Sequence, residues 1–436
     1  MIPRRVLPCE SMLRLAIVLL LGLALRLFAM PSHERALVFD ERDYSALSTT
    51  LAQTGAYAEA GHPTAYRAPG YPAFLAGIQR LTGRSDPAPA RVAQAVLDEL
   101  SALLLYLIAL PWGATAALLS ATIWSFYPPA IVYTRLLYPE SLFVFLLLLW
   151  ILLATRFRPN RPWGQIALGA GVGLLALVKT EAAFLLLAVP AAALIRGARV
   201  TMVALFLLGG ALTLAPWVIR NARVMGAPVL VTSGGTVLLI GNHPGATGGY
   251  APGVPDSMLP RSTEEAAGSR EGYRNATRYI AAHPLRFLTM GVRKTALVFA
   301  SEVELAVTAF HHEPSDPSTR FRHKAREVPL WFPLGLTAAY AALLLWGCFG
   351  FITAPDDRVV WIAAAIALAW VMSHFLTFGG SRYHHVLMPL AALGAARLGA
   401  TPRPPQTRRL RIVAFAGVAV LLAAVWTVEL IALLRP

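Results

Sequence analysis

The sequence predicts an all-helical, polytopic membrane protein, and three observations carry the prediction. Hydrophobic residues make up 56% of the 436 positions and charged residues only 14%, where a soluble domain carries about 25% charged residues. The apolar residues fall in long runs, and the basic residues collect between them. With a mean hydropathy of +0.57, the chain cannot cover itself with polar surface, so much of it must face lipid.

A hydrocarbon core of about 30 Å needs about 20 helical residues. Eleven candidate spans follow: 12–30, 92–110, 114–132, 141–155, 165–178, 182–195, 200–219, 330–352, 359–378, 386–398 and 412–434. The first is preceded by Arg4 and Arg5, as a signal peptide would be. It is longer than a typical signal core and no small-residue cleavage site follows, so it reads as an uncleaved span.

Charge sets the direction. With the N-terminus inside, the inner connections hold Arg156, Arg158 and Arg161, then Arg196 and Arg199, then Arg403, Arg408, Arg409 and Arg411. The short outer connections hold one basic residue each: Arg135, Lys179 and Arg382. That asymmetry follows the positive-inside rule. The net charge of +15 therefore orients helices and meets anionic headgroups. It forms no interleaved basic and aromatic stripe of the kind that binds nucleic acid. Cys9 precedes the first span and Cys348 lies within a late one, which argues against a disulfide framework.

This orientation leaves two long segments outside, 31–91 and 221–329, and divides the chain into an N-terminal transmembrane module (1–220), a cap (221–329) and C-terminal transmembrane helices (330–436). Interfacial helices are predicted at 43–53 and 71–82, and cap helices at 263–282 and 285–299, with a Gly/Pro-rich loop at 241–255. No internal repeat is visible, which weakens an inverted-repeat transporter reading.

Two stretches of the first outer segment carry candidate chemistry. In Phe39-Asp40-Glu41-Arg42-Asp43-Tyr44, adjacent carboxylates lie close to the membrane. There, repulsion and partial desolvation favour proton uptake by at least one of them, as a general base requires. The alternative is a solvated helix N-terminus with Asp40 as N-cap. In Pro63-Thr64-Ala65-Tyr66-Arg67-Ala68-Pro69-Gly70-Tyr71-Pro72, prolines and a glycine brace Arg67 in a stiff turn suited to meeting a phosphate. The alternative is a loop anchored by interfacial tyrosines.

Together these stretches resemble the first extracytoplasmic loop of the GT-C glycosyltransferases. The resemblance is to the bacterial members similar to protein O-mannosyltransferases and lipid A aminoarabinose transferases. It is best over residues 10–180, including Gly55-Ala56-Tyr57, Leu137-Tyr138-Pro139-Glu140-Ser141 and Leu177-Val178-Lys179-Thr180. It returns weakly at Gly241-Asn242-His243-Pro244 and Ser381-Arg382-Tyr383-His384.

The resemblance implies a GT-C-like bundle of about eleven helices with extracytoplasmic interfacial helices. It also implies an inverting transfer of sugar from a polyprenyl phosphate to a hydroxyl or phosphate of a lipid, glycan or protein acceptor, in a bacterial inner membrane, on the outer face. Asp40 matches the family's catalytic acid, Glu41 is its immediate partner, and Glu140 matches a second acidic position. Tyr44, Tyr66, Arg67, Tyr71, Lys179, Arg382 and His384 are the expected substrate-binding residues. Independently of the family, Arg67, Lys179 and Arg382 fall on one predicted face, where fixed cations lower the barrier to release of a phosphate.

No cofactor is implied. His311, His312, Glu313 and Asp316, or His384 and His385, suggest a divalent metal only weakly, because adjacent histidines seldom reach one ion. Asn275-Ala276-Thr277 fits a glycosylation sequon and reads as structural. A secondary transporter or lipid flippase is the alternative reading, favoured most by Asp98 and Glu99 within the second span. A polysaccharide polymerase or ligase is a third, but would lack the acid pair after the first span.

Overall fold

The computed structural model describes residues 9–31, 36–157, 161–250, 253–262, 264–310, 328–353, 357–398 and, apart from 418 and 421, 415–427. Among these, nearly all regular structure is helical; the strands are a two-residue pair, β1 (Ala58–Glu59) and β2 (His62–Pro63). After α1 (Cys9–Phe28), the 36–87 stretch supplies α2 (Asp40–Thr54) and α3 (Gly70–Thr82). There follow α4 (Ala88–Ala109), α5 (Ala114–Ser125), α6 (Pro128–Tyr133), α7 (Glu140–Arg156), α8 (Pro162–Val178), α9 (Leu185–Ile195) and α10 (Val200–Met225). The 226–310 segment forms α11 (Gly234–Gly241), α12 (Glu265–Ala282), α13 (Pro284–Val298) and α14 (Val303–Phe310). Then come α15 (Trp331–Thr353), α16 (Arg358–Leu376) and, after a 3-10 turn at Ser381–Leu387, α17 (Met388–Arg397).

The core sits where α4 packs against both α5 and α7. Helix α7 is apolar all round, and Phe143, Val144, Leu147, Leu148, Trp150 and Ile151 are all buried, as expected of a central helix. Helices α8 and α10 lie backbone to backbone. A methyl group at Gly169 would collide with the Phe206 carbonyl, and one at Gly209 with the Ile166 carbonyl. Small residues are how apolar helices gain contact where lipid removes any hydrophobic drive to associate.

Among the described residues, five helices are long and apolar enough to cross a membrane: Glu10–Phe28, Ala88–Trp112, Val200–Met225, Trp331–Ile352 and Arg358–Leu376. Shorter apolar helices occupy Ala114–Ser125, Pro162–Val178, Thr180–Ile195 and Phe415–Thr427. The chain is a multi-pass helical membrane protein, but two of the eleven predicted spans differ from expectation. The span at 114–132 breaks before Pro128 and Pro129, which open α6 as a separate short helix. The span at 386–398 becomes the 3-10 turn and the ten-residue α17, buried at every position. Ten residues rise only about 15 Å, half the hydrocarbon thickness. Most of 412–434 lies outside the described residues.

Asp98 and Glu99, the residues that favoured a transporter, are closed off. Arg26 of α1 donates to Asp98 at 2.8 Å and also pairs with Glu99. The Trp124 indole N–H donates to Asp98 at 3.2 Å, and the Ser125 hydroxyl to Glu99 at 3.0 Å. The triad ties α1, α4 and α5 together, with the Arg26 side chain wholly buried.

Candidate functional site

The polar centre of the molecule is built at helix ends. Phe39, just before α2, has φ 49° and ψ −131°. A non-glycine residue in that region is strained, and such strain persists only where the surroundings over-determine it. The kink points the first turn of α2, with Asp40, Glu41 and Asp43, into the bundle end, where the helix dipole favours negative charge. Asp40 is the first helical residue, and Phe39 occupies the N-cap without a side-chain cap. The Asp40 carboxylate is therefore free for tertiary pairing.

Arg67 reaches that carboxylate from the proline-braced turn. Its Nη2 donates to Asp40 Oδ1 at 2.7 Å and to Asp43 Oδ2 at 2.6 Å, and its Nε to Asp43 at 3.2 Å. Tyr44 and Tyr66 lie under the guanidinium, with ring centroids 5.5 and 5.3 Å from Cζ. The Pro69-Gly70 step brings this turn against the end of α8. A Cβ at Gly70 would lie 2.7 Å from the Leu177 carbonyl oxygen, so only glycine allows α3 to start beside Lys179.

From the far end of the chain, Arg382 Nη1 donates to the other Asp40 oxygen at 2.6 Å, while its Nε donates to Glu140 Oε1 at 2.7 Å. Its guanidinium rests on the Tyr138 ring at 3.9 Å. Lys179 Nζ donates to the same Glu140 oxygen at 2.9 Å. Lys179 also lies 5.9 and 5.8 Å from the Trp370 and Tyr383 ring centroids. The second Glu140 oxygen is buried with no hydrogen-bond partner among the described residues. Asp40, Asp43 and Glu140 thus face Arg67, Arg382 and Lys179, three charges of each sign. Burial works to raise the Asp40 pKa, but Arg382 and Arg67 outweigh it and hold it at about 2, below its ordinary 3.8. The Asp40 side chain remains 29% exposed, so the cluster opens to one side of the bundle.

Of the residues picked from the sequence, the structure brings together Asp40, Tyr44, Tyr66, Arg67, Glu140, Lys179 and Arg382. It turns three others elsewhere. The Glu41 carboxylate is wholly buried and accepts from the backbone N–H groups of Val38 (3.1 Å) and Leu137 (2.9 Å). Tyr71 donates its hydroxyl to Gln94 at 2.6 Å and packs edge-on to Tyr44. His384 stacks on Tyr340 with 3.8 Å between centroids, its Nε2 3.0 Å from Glu302 Oε1. Its Nδ1 is 2.9 Å from the Val298 carbonyl, which only accepts, so Nδ1 carries a proton.

Sequence reasoning missed Asp43, although its i, i+3 spacing from Asp40 places both on one helix face. It also missed Glu304, whose Oε2 accepts from the Ser381 hydroxyl at 3.1 Å and so holds the turn that bears Arg382. No local signal marks Glu304. Among the described residues no three His, Cys, Asp or Glu side chains converge to hold a metal. His311, His312, Glu313 and Asp316 lie outside the described residues.

A helical membrane bundle with a neutralised cluster of three acids and three bases at one end is the class that the fold and site define. Within that class, residues 62–219 match the family of dolichyl-phosphate-mannose-protein mannosyltransferases, and the resemblance read from the first loop is borne out. Arg67, Glu140 and Lys179 fall within the matched segment; Asp40 and Arg382 lie outside it. No curated protein matches the chain. Among solved structures, it is similar to an oligosaccharyltransferase of Archaeoglobus fulgidus tethered to an acceptor peptide containing the NVT sequon. That likeness has 13% identity and a TM-score of 0.48, over 95% of this chain and 54% of that one. The archaeal oligosaccharyltransferase AglB from Archaeoglobus fulgidus, in complex with an inhibitory peptide and a dolichol-phosphate, gives 12% identity and a TM-score of 0.46. It is covered over 56% of its length, against 96% of this chain. The chain spans about half the length of these proteins.

Proposed function

We propose that the protein is a membrane glycosyltransferase. It moves a hexosyl or pentosyl group from a polyprenyl-phosphate carrier to an acceptor hydroxyl at the extracytoplasmic face of a bacterial inner membrane. The observation that carries this reading is Asp40 held between Arg67 and Arg382, beside Lys179. A base and a set of cations suited to phosphate thereby share one half-buried site that opens at Asp40.

The phosphodiester of the donor competes with Asp40 for Arg67 and Arg382, because guanidinium binds phosphate in the same forked geometry as carboxylate. As the arginines turn to phosphate, Asp40 loses the partners that suppress its basicity and becomes a better proton acceptor. The acceptor oxygen then attacks the anomeric carbon from the face opposite the phosphate. Its proton passes to Asp40, the bond from carbon to phosphate oxygen breaks, and that oxygen keeps the electron pair. The configuration inverts. Charge grows on the departing phosphate, where Arg67, Arg382 and Lys179 stabilise it most in the transition state. In this reading Glu140 aligns Arg382 and Lys179, and Glu41 braces the start of α2.

The competing transporter reading loses its main support in the buried pairing of Asp98 and Glu99 with Arg26. The test is transfer of radiolabelled sugar from a polyprenyl-phosphate donor in membranes containing the protein. Transfer by the wild type and none by Asp40→Asn supports the proposal; no transfer from any polyprenyl-phosphate sugar overturns it.

A further inference from the structure

The turn that carries Arg67 is held from outside its own loop, by residues of α10, the 230–232 stretch and α12. Glu265, in the first turn of α12, accepts from the Thr64 hydroxyl at 2.8 Å through Oε2 and from the Ala65 N–H at 3.0 Å through Oε1. It also accepts from the Thr232 hydroxyl. The Thr64 hydroxyl in turn accepts from the Tyr66 N–H at 3.0 Å. On the opposite edge, Arg220 donates to the Thr64 carbonyl at 2.6 Å and to the Tyr57 carbonyl at 2.8 Å. The Thr232 N–H donates to the Ala65 carbonyl at 3.0 Å. The Tyr57 hydroxyl closes the frame on the Arg67 carbonyl at 3.0 Å.

Thr64 and Ala65 are buried, so their backbone groups have no water to fall back on. One carboxylate, about 200 residues away in sequence, satisfies three donors within this frame. A glutamate so placed does more than cap a helix: it fixes the backbone from which Arg67 projects toward Asp40.

We propose that Glu265 is a positioning residue for Arg67, through which α12 sets the reach of that guanidinium toward the donor phosphate. The inference rests on the proposed function for its ligand but not for its geometry. Among the described residues no hydrogen bond or ion pair joins Glu265 to Asp40 or Arg67, so its influence runs through the Thr64–Tyr66 backbone. Glu265→Ala leaves the Ala65 N–H and the Thr64 and Thr232 hydroxyls without this acceptor and lets the turn relax. Glu265→Gln keeps one acceptor oxygen and should lie between.

The experiment is a double-mutant cycle of Glu265→Ala and Arg67→Ala, read as donor KM and kcat for sugar transfer. Glu265→Ala should raise the donor KM about tenfold with a smaller change in kcat, the scale of one charged hydrogen bond. The double variant should be no worse than Arg67→Ala alone, because a residue acting through Arg67 has nothing left to position. Additive losses, or an unchanged KM in Glu265→Ala where Arg67→Ala is impaired, overturn the proposal.

A second measurement needs no activity. Ala68→Cys, buried beside Arg67, is introduced with Cys9 and Cys348 replaced, and its labelling by an impermeant thiol reagent is timed. Glu265→Ala should speed labelling several-fold. Glu271→Ala, on the same helix and bonded to the Arg261 backbone, should not. Equal rates in both overturn the latch. If labelling responds while Arg67→Ala transfers sugar normally, the latch stands and the phosphate reading of Arg67 falls.

Discussion

Arg382 donates to Asp40 at 2.6 Å across 342 residues of sequence, and with its next nitrogen it holds Glu140 at 2.7 Å. One guanidinium therefore joins the first loop, the start of α7 and the turn before α17. Its side chain is 15% exposed, so it can still meet a ligand.

Replacing Arg382 by alanine leaves Asp40 with Arg67 alone and Glu140 with Lys179 alone. Donor kcat/KM should fall about ten- to a hundredfold, or roughly 1.5–3 kcal/mol, with Arg382→Lys intermediate because lysine lacks the planar fork. Arg14→Ala, exposed on α1, serves as the control and should transfer sugar like wild type. Normal kinetics in Arg382→Ala would move the phosphate site elsewhere.

Asp40→Asn keeps the shape and removes the base. Turnover should drop at least about a hundredfold, the lower end of general-base contributions, while donor binding persists because both arginines remain. Purified variant at normal yield with near-wild-type turnover removes Asp40 from the mechanism.

The depressed Asp40 pKa makes a pH prediction. The group is ionised in the folded protein down to about 2 and in the unfolded chain down to about 3.8. Its stabilising contribution is therefore complete above pH 3.8 and disappears as pH falls through 2. Thermal unfolding in detergent at pH 6, 4, 3 and 2 should show wild type and Asp40→Asn converging only below pH 4. A difference that first shrinks between pH 7 and 5 contradicts the assignment. For the same reason, kcat/KM of the free enzyme should show no acidic limb from Asp40 above about pH 4.

Arg26→Leu strands two buried carboxylates. Removing one partner of a buried pair costs about 3–5 kcal/mol, so the variant should unfold well below wild type or fail to accumulate. Adding Asp98→Asn and Glu99→Gln should recover part of the loss, since neutral groups tolerate burial better. A destabilised single variant with no recovery in the triple one indicates that Arg26 matters for packing alone.

The orientation rests on arginine asymmetry. With native cysteines replaced, Ser257→Cys should react with an impermeant thiol reagent in intact cells and Thr407→Cys should not. The reverse pattern inverts the topology.

The sequence by itself determined the membrane class, the ends of most helices, and the two stretches of the first loop that hold Asp40 and Arg67. Those features are local. Apolar run length, proline and glycine punctuation and adjacent charges act over neighbouring residues, and a linear reading detects them. It also picked out Glu140, Lys179 and Arg382, because charged residues at the edges of apolar runs are costly and conspicuous. Only the tertiary structure decided which of these charges meet. Asp40 and Glu41 are neighbours in sequence, yet helical geometry sends one carboxylate to two arginines and the other to backbone N–H groups. Arg382 and His384, two residues apart, face different partners for the same reason. Glu304 and Glu265 carry no mark in sequence, since their work is to satisfy donors from distant segments. Asp98 and Glu99 favour the transporter alternative in a linear reading; Arg26, 72 residues from Asp98, closes the pair. Ion pairs between distant segments depend on how the helices pack, and that arrangement has no periodicity to betray it.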